Sequence, residues 1–219
     1  MTDKHRKDKQ MRFKARYVIF AVLFLIFIYY FVQVMYARSH TVETAKERLL
    51  QITIEKSDLS ERQLEIFIRV QDPNFYNHRG VEFRTPGSGL TTITQSLSKQ
   101  FYFRDFKPGV RKLKQTLCAR FALHPKIPKD RQITLFLNMM YFGNDQWGID
   151  DASRYYYSKN VNELDEDEFI SLIGCLIAPV NLNVKDHPEK NRDRVEKIKR
   201  MLSGEYVPKG LLDITYDKR

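Results

Sequence analysis

Cysteine is nearly absent from this chain of 219 residues: there are two, Cys118 and Cys175. Two cysteines do not make the disulfide framework of a small secreted domain. Both stand in apolar helical contexts, LKQTLCARFAL and FISLIGCLIAP, and read as small buried hydrophobes. Strand signals are scarce, and no internal repeat or low-complexity tract is present, which points away from sheet and solenoid architectures. The positive excess is unevenly placed. The net charge is +10, and half of it falls in the first sixteen residues, MTDKHRKDKQMRFKAR. A nucleic-acid surface would carry a basic stripe interleaved with stacking aromatics. Here the excess lies next to an apolar run, so no nucleic-acid partner is expected.

That run is YVIFAVLFLIFIYYFVQVMY, Tyr17 to Tyr36, with no charge and with Gln33 as its only strongly polar side chain. At about 1.5 Å per residue its length matches a hydrocarbon core of roughly 30 Å. A cleaved signal peptide has a shorter apolar region and a small-residue cleavage site, and VQVMYARSH is a poor one. A core helix would be amphipathic, whereas this run is apolar all round. The expectation is a single-pass transmembrane anchor. The basic residues before it imply a cytoplasmic N-terminus and a translocated C-terminal domain.

Beyond the anchor the chain reads as helices. SERQLEIFIRVQDP opens with a capping box, Ser60 and Gln63, carries Leu64, Phe67 and Ile68 at helical period, and is ended by Pro73. Gln71 therefore lies at the C-terminal end of a helix, at the lip of a turn. Pro86, Gly87 and Gly89 make a flexible loop, and Thr91, Thr92 and Thr94 open the next helix. A further helix follows Pro108-Gly109, and KDRQITLFLNMMYFG gives another, ended by Gly143. GIDDASRYYYSK, DEDEFISLIGCLIAP and DRVEKIKRML continue the pattern. The expected organisation is a basic cytoplasmic tail (1–16), the anchor (17–36), a juxtamembrane linker (37–59), a mainly α domain (60–205) and a C-terminal tail (206–219).

A hydroxyl run at a helix N-terminus with nearby cations suits a phosphate or pyrophosphate. Thr91 and Thr92 supply the hydroxyls, Lys99 lies one turn after Gln95, and Arg111 and Lys112 open the following helix. Taken singly, each reads as a cap or a solvated charge. Their order carries more weight. It resembles glycosyltransferase family 51, the peptidoglycan glycosyltransferases. The first motif of that family, E-D-x-x-F-x-x-H-x-G, stands here as QDPNFYNHRG, Gln71 to Gly80. The second, G-G-S-T-I-T-Q-Q-x-x-K, stands as GLTTITQSLSK, and the third, R-K-x-x-E, as RKLKQ, Arg111 to Gln115. The fourth, centred on Y-L-N, stands as FLNMMYFG, and WGIDDASRYYYSK and EFISLIGCLIAPVN match later stretches.

The resemblance implies a lysozyme-like helical domain on the outer face of the bacterial cytoplasmic membrane, acting on lipid II. Lipid II is a disaccharide–pentapeptide on a polyprenyl pyrophosphate. It implies a first-motif Glu as general base, and a third-motif Glu that organises the pyrophosphate, often with a divalent metal. Lys99, Arg111 and Lys112 would hold the pyrophosphate, together with Thr91, Thr92 and Gln95. Asp72, Phe75, His78, Gly80 and Asn138 would be structural at the site. Both glutamates are missing: Gln71 and Gln115 stand in their places, and Thr134 sits where the fourth motif commonly has Glu. Losing a general base costs about 10²–10⁴-fold in rate. With the carboxylate lost, no metal and no other cofactor is expected. The reading that follows is a catalytically impaired relative that binds lipid II-like lipids or partner cell-wall synthases. An active enzyme with a displaced base and a structural membrane protein with a vestigial cleft are the alternatives.

Overall fold

The computed structural model describes residues 2–107 and 109–217, with side chains from Phe13 onward. The side chains of the basic tail through residue 12, Pro108 and the last two residues of the expected C-terminal tail lie outside the described residues. The charge-free run is part of one continuous helix, α1 (Thr2–Leu49). From Phe13 this helix is long and apolar enough to cross a membrane, and its apolar window is almost wholly exposed. The stretch expected as a juxtamembrane linker contains the last turns of α1. Val34, Ala37, Thr41 and Ala45 recur there at helical spacing and are buried. Val34 and Ala37 meet Cys118 and Ala122, and the Thr41 hydroxyl lies 2.7 Å from the Tyr102 hydroxyl.

A 3₁₀ turn (Lys56–Asp58) leads to α2 (Glu61–Gln71), where the capping box is formed. Ser60 Oγ accepts from the Gln63 N–H at 3.1 Å, and Gln63 Oε1 accepts from the Ser60 N–H at 2.9 Å. Then come α3 (Ile93–Tyr102), capped the same way by Thr92 and Gln95, and α4 (Val110–Cys118). The chain runs out of α4 into a π turn (Ala119–Leu123). The remaining helices are α5 (Lys129–Met139), α6 (Ile149–Tyr157), α7 (Glu166–Cys175) and α8 (Pro188–Ser203). From Phe169 to Cys175 every residue of α7 is buried, so this helix runs through the core. A Cβ on Gly174 would lie 2.8 Å from Ile198 Cδ1, and the missing side chain lets α8 pack closely against α7.

Two expectations need correction. α5 stops at Met139 instead of running to Gly143. Asn144 and Asp145 have φ of 48° and 60°, and the Gln146 N–H donates to the Gly143 carbonyl. That is the geometry of a tight hairpin turn, and it folds Trp147 back against Tyr141 with ring centroids 5.0 Å apart. The loop through Pro86, Gly87 and Gly89 is also held down. The chain after α8 returns across it, so that the Gly87 N–H donates to the Gly210 carbonyl and the Gly89 N–H to the Leu211 carbonyl. This C-terminal strap is anchored by Tyr216, only 1% exposed, with the Arg194 guanidinium 4.7 Å over its ring.

Candidate functional site

Asp72 caps α2 and is fully buried. Its carboxylate accepts from His78 Nε2 at 2.9 Å and from the Ile93 N–H at 3.0 Å, tying the end of α2 to the start of α3. The Gly80 N–H donates to His78 Nδ1, which fixes the ring as its Nε2–H tautomer. Thr92 Oγ1 donates to the Gly80 carbonyl at 2.8 Å while accepting from the Gln95 N–H. Gly80 has φ of 92°, and a Cβ there would lie 2.8 Å from the Ala119 carbonyl oxygen. Phe75 is fully buried beside this network. Asn138 serves a different joint. Its side chain bonds the backbone of Thr53 and Ile54, pinning the segment after α1 to α5.

The two glutamines each donate to a backbone carbonyl. Gln71 Nε2 reaches the Ile173 oxygen on α7 at 2.8 Å. Gln115, 1% exposed, donates through Nε2 to the Gln95 oxygen on α3 at 2.7 Å. Its Oε1 is buried without a hydrogen-bond partner among the described residues. A carbonyl can only accept, so an ionised carboxylate could make neither of these bonds. Around Gln115, Gln95 Nε2 donates to Thr116 Oγ1 at 2.9 Å, and Ser98 Oγ to the Gln115 carbonyl at 3.1 Å. Thr116 and Ser98 escape a reading by motif because they join the site only through this packing of α3 on α4.

Lys112 Nζ donates to Thr91 Oγ1 at 2.8 Å. Burial lowers the pKa of its ammonium, and the positive charge of Lys99 lowers it further. The fold therefore brings Thr91, just before α3, against Lys112 in the first turn of α4. Lys99, in the last turn of α3, is close enough for its charge to act on Lys112. Arg111 is engaged elsewhere: its guanidinium bonds the Asp105 carbonyl and lies 3.7 Å from that carboxylate. Gln71 is joined to none of these cations by a hydrogen bond among the described residues.

Three further groups border the site. Glu82 accepts from Asn74 Nδ2 at 2.6 Å and from the N–H groups of Phe83, Arg84 and Thr85. Burial pushes its carboxyl up, but these hydrogen bonds outweigh it and hold the pKa down at about 2. Lys129 Nζ sits 4.0 Å over the Phe75 ring, buried and without a hydrogen-bond partner among the described residues. Burial pushes its ammonium down to about 8, against the opposing pull of Asp72. His124 is pushed down to about 4, by burial first and then by Lys129 and Arg120. A lysine opening a helix reads in sequence as solvated, so only the packing reveals it. At position 134 the nearby carboxylate comes from another segment: Thr134 Oγ1 donates to Glu55 at 3.1 Å.

Comparison with known proteins matches residues 84–203 to the family described as Transglycosylase. The matched stretch begins after the first motif, so Gln71 to Gly80 precede it. The chain is 31% identical over 160 residues to penicillin-binding protein 1F of Bacillus subtilis, covering 67% of this chain and 22% of that protein. It is 30% identical over 166 residues to penicillin-binding protein 2a of Streptococcus pneumoniae, covering 71% and 23%. With penicillin-binding protein 1A of Rickettsia bellii the identity is 31% over 164 residues, covering 65% and 20%. The chain thus spans less than a quarter of the length of these relatives. The helical architecture described above is the lysozyme-like fold of the matched family.

Proposed function

From a chain that belongs to the transglycosylases of glycosyltransferase family 51, we infer a membrane-anchored relative of the peptidoglycan glycosyltransferases that holds a polyprenyl pyrophosphate and turns it over poorly or not at all. The observation that carries this reading is the pair of amides. Gln71 and Gln115 occupy the positions of the two family glutamates, and each spends its NH₂ group on a backbone carbonyl. An amide does not take the acceptor hydroxyl's proton at ordinary pH, and without that step the sugar oxygen stays a weak nucleophile. Asp72 is no ready substitute, because its buried carboxylate already serves His78 and Ile93. The donor set does not suit the divalent metal of the family either: Gln115 is a neutral amide one helical turn from the Lys112 ammonium.

The cationic half of the site supports binding. Lys99 and Lys112 raise each other's energy as ammonium groups, and a phosphate placed between them relieves that repulsion. Thr91 adds a hydroxyl beside the Lys112 ammonium. On this reading the basic tail is cytoplasmic, α1 crosses the cytoplasmic membrane, residues 37–59 join it to a translocated domain over 60–205, and partner synthases are further binding candidates.

The test is polymerisation and binding of labelled lipid II by the purified full chain. Polymer should form at a rate about 10²–10⁴-fold below that of an ordinary family member. A short-chain lipid II analogue should still bind, with affinity weakened about 10-fold or more by Lys99→Ala or Lys112→Ala and little changed by chelator. Rapid polymerisation would establish an active enzyme instead. Equal affinity in all three proteins would leave the vestigial cleft.

A further inference from the structure

A cavity of about 630 Å³ lies between α1 and the end of α3, with Lys114 of the RKLKQ stretch on its wall. Its polar lining comes from Gln33, His40 and Arg48 on α1, Gln100 on α3, Arg104 on the following loop and Lys114 on α4. No carboxylate lines it. Tyr36, Phe101 and Phe103 supply apolar wall. Its lower rim, Gln33, lies within the charge-free run, and its upper rim, Arg48, lies beyond it. The cavity therefore straddles the level at which the run Tyr17 to Tyr36 gives way to polar sequence.

Lys114 Nζ donates to Gln33 Oε1 at 2.7 Å and stands 5.3 Å from the Phe103 ring centroid. One neutral amide oxygen gives an ammonium no counter-charge. Arg48 and Arg104 form no ion pair among the described residues. Three cations thus converge on an aromatic-walled hollow at the height where a bilayer places its phosphates. A second groove, lined by Phe27, Phe31, Val34, Arg38 and Phe121, lies on another face of α1 and shares no residue with this cavity. An anionic lipid headgroup matches the cavity: its phosphodiester meets the cations, and the aromatic wall faces its glycerol.

We propose that this cavity is a binding site for the headgroup of an anionic glycerophospholipid, separate from the pyrophosphate site at Thr91, Lys99 and Lys112. The proposal rests on α1 crossing the membrane. Its test uses the full chain in nanodiscs of phosphatidylcholine mixed with phosphatidylglycerol, with retained lipid counted by native mass spectrometry. Phosphatidylglycerol should be enriched on the wild type, and Arg104→Ala and Lys114→Ala should each reduce its retention about five-fold. Lys190→Ala, on the exposed side of α8, should leave it unchanged. Arg104→Gln, on an exposed loop, repeats the measurement in a variant whose melting temperature is first shown to match the wild type. Equal retention across all variants, or retention of added polyprenyl phosphate alone, overturns the lipid site. Carbonate extraction separates the two layers of the claim: release of the chain from membranes overturns the spanning helix itself.

Discussion

Position 115 shows how far one atom decides what a substitution can do. The Gln115 NH₂ points at a carbonyl oxygen 2.7 Å away in a buried setting. Gln115→Glu places an acceptor against an acceptor unless the acid is protonated, and burial favours the protonated form. The variant should therefore lose about 1–3 kcal/mol of stability, more at pH 8 than at pH 5, as read by thermal unfolding in detergent. Unchanged melting at both pH values would show that the site accepts a carboxylate as readily as an amide. Lys129 offers the opposite case. Its pKa of about 8 in the fold lies below the model-compound value of 10.5, so folding disfavours the charged form. The cost is fully present below pH 8 and is relieved as pH rises from 8 towards 10.5. Lys129→Met should raise stability at pH 7 by about 1–3 kcal/mol. Its advantage should shrink across that alkaline window, measured by denaturant unfolding at stepped pH. A flat difference would mean that the ammonium is solvated.

Among the elements, those with local signals were legible. The capping box at Ser60 needs only residues three apart and formed as read, and the helix expected to open at the Thr run does so with Thr92 as its cap. The hairpin after α5 was not, because MMYFG continues an apolar helical pattern and the reversal depends on Asn144 and Asp145 taking left-handed backbone. The upper part of α1 lies in a polar stretch of some helical character, but its docking was not legible, since Ala37, Thr41 and Ala45 give a weak apolar signal until Cys118 and Tyr102 are placed against them. In the site, residue types and order were readable, whereas the donor direction of each glutamine and the burial of Lys129 depend on distant backbone. The docking of α1 gives a test. One residue inserted between Ala37 and Thr41 turns one half of the helix about 100° out of phase with the other. It should cost about 1–3 kcal/mol of the burial and hydrogen bonding there and expose Cys118 to a thiol reagent. The same insertion between Ala21 and Val22, both exposed, should do neither. Matching behaviour of the two insertions would show that α1 and the domain are only tethered.

For the whole molecule, the strap has a bearing on time. A chain made from its N-terminus presents α1 first, then the motifs, then the central helix α7 and finally α8. The backbone bonds from Gly87 to Gly210 and from Gly89 to Leu211 close a loop over most of the domain. Contacts so far apart in sequence form late, because the intervening chain must be ordered before they can. The turn before α3 that carries Gly87 and Gly89 is therefore fastened only after Leu211 has emerged. An interrupted or stalled chain that ends before the strap would carry every motif and still leave the turn before α3 unfastened.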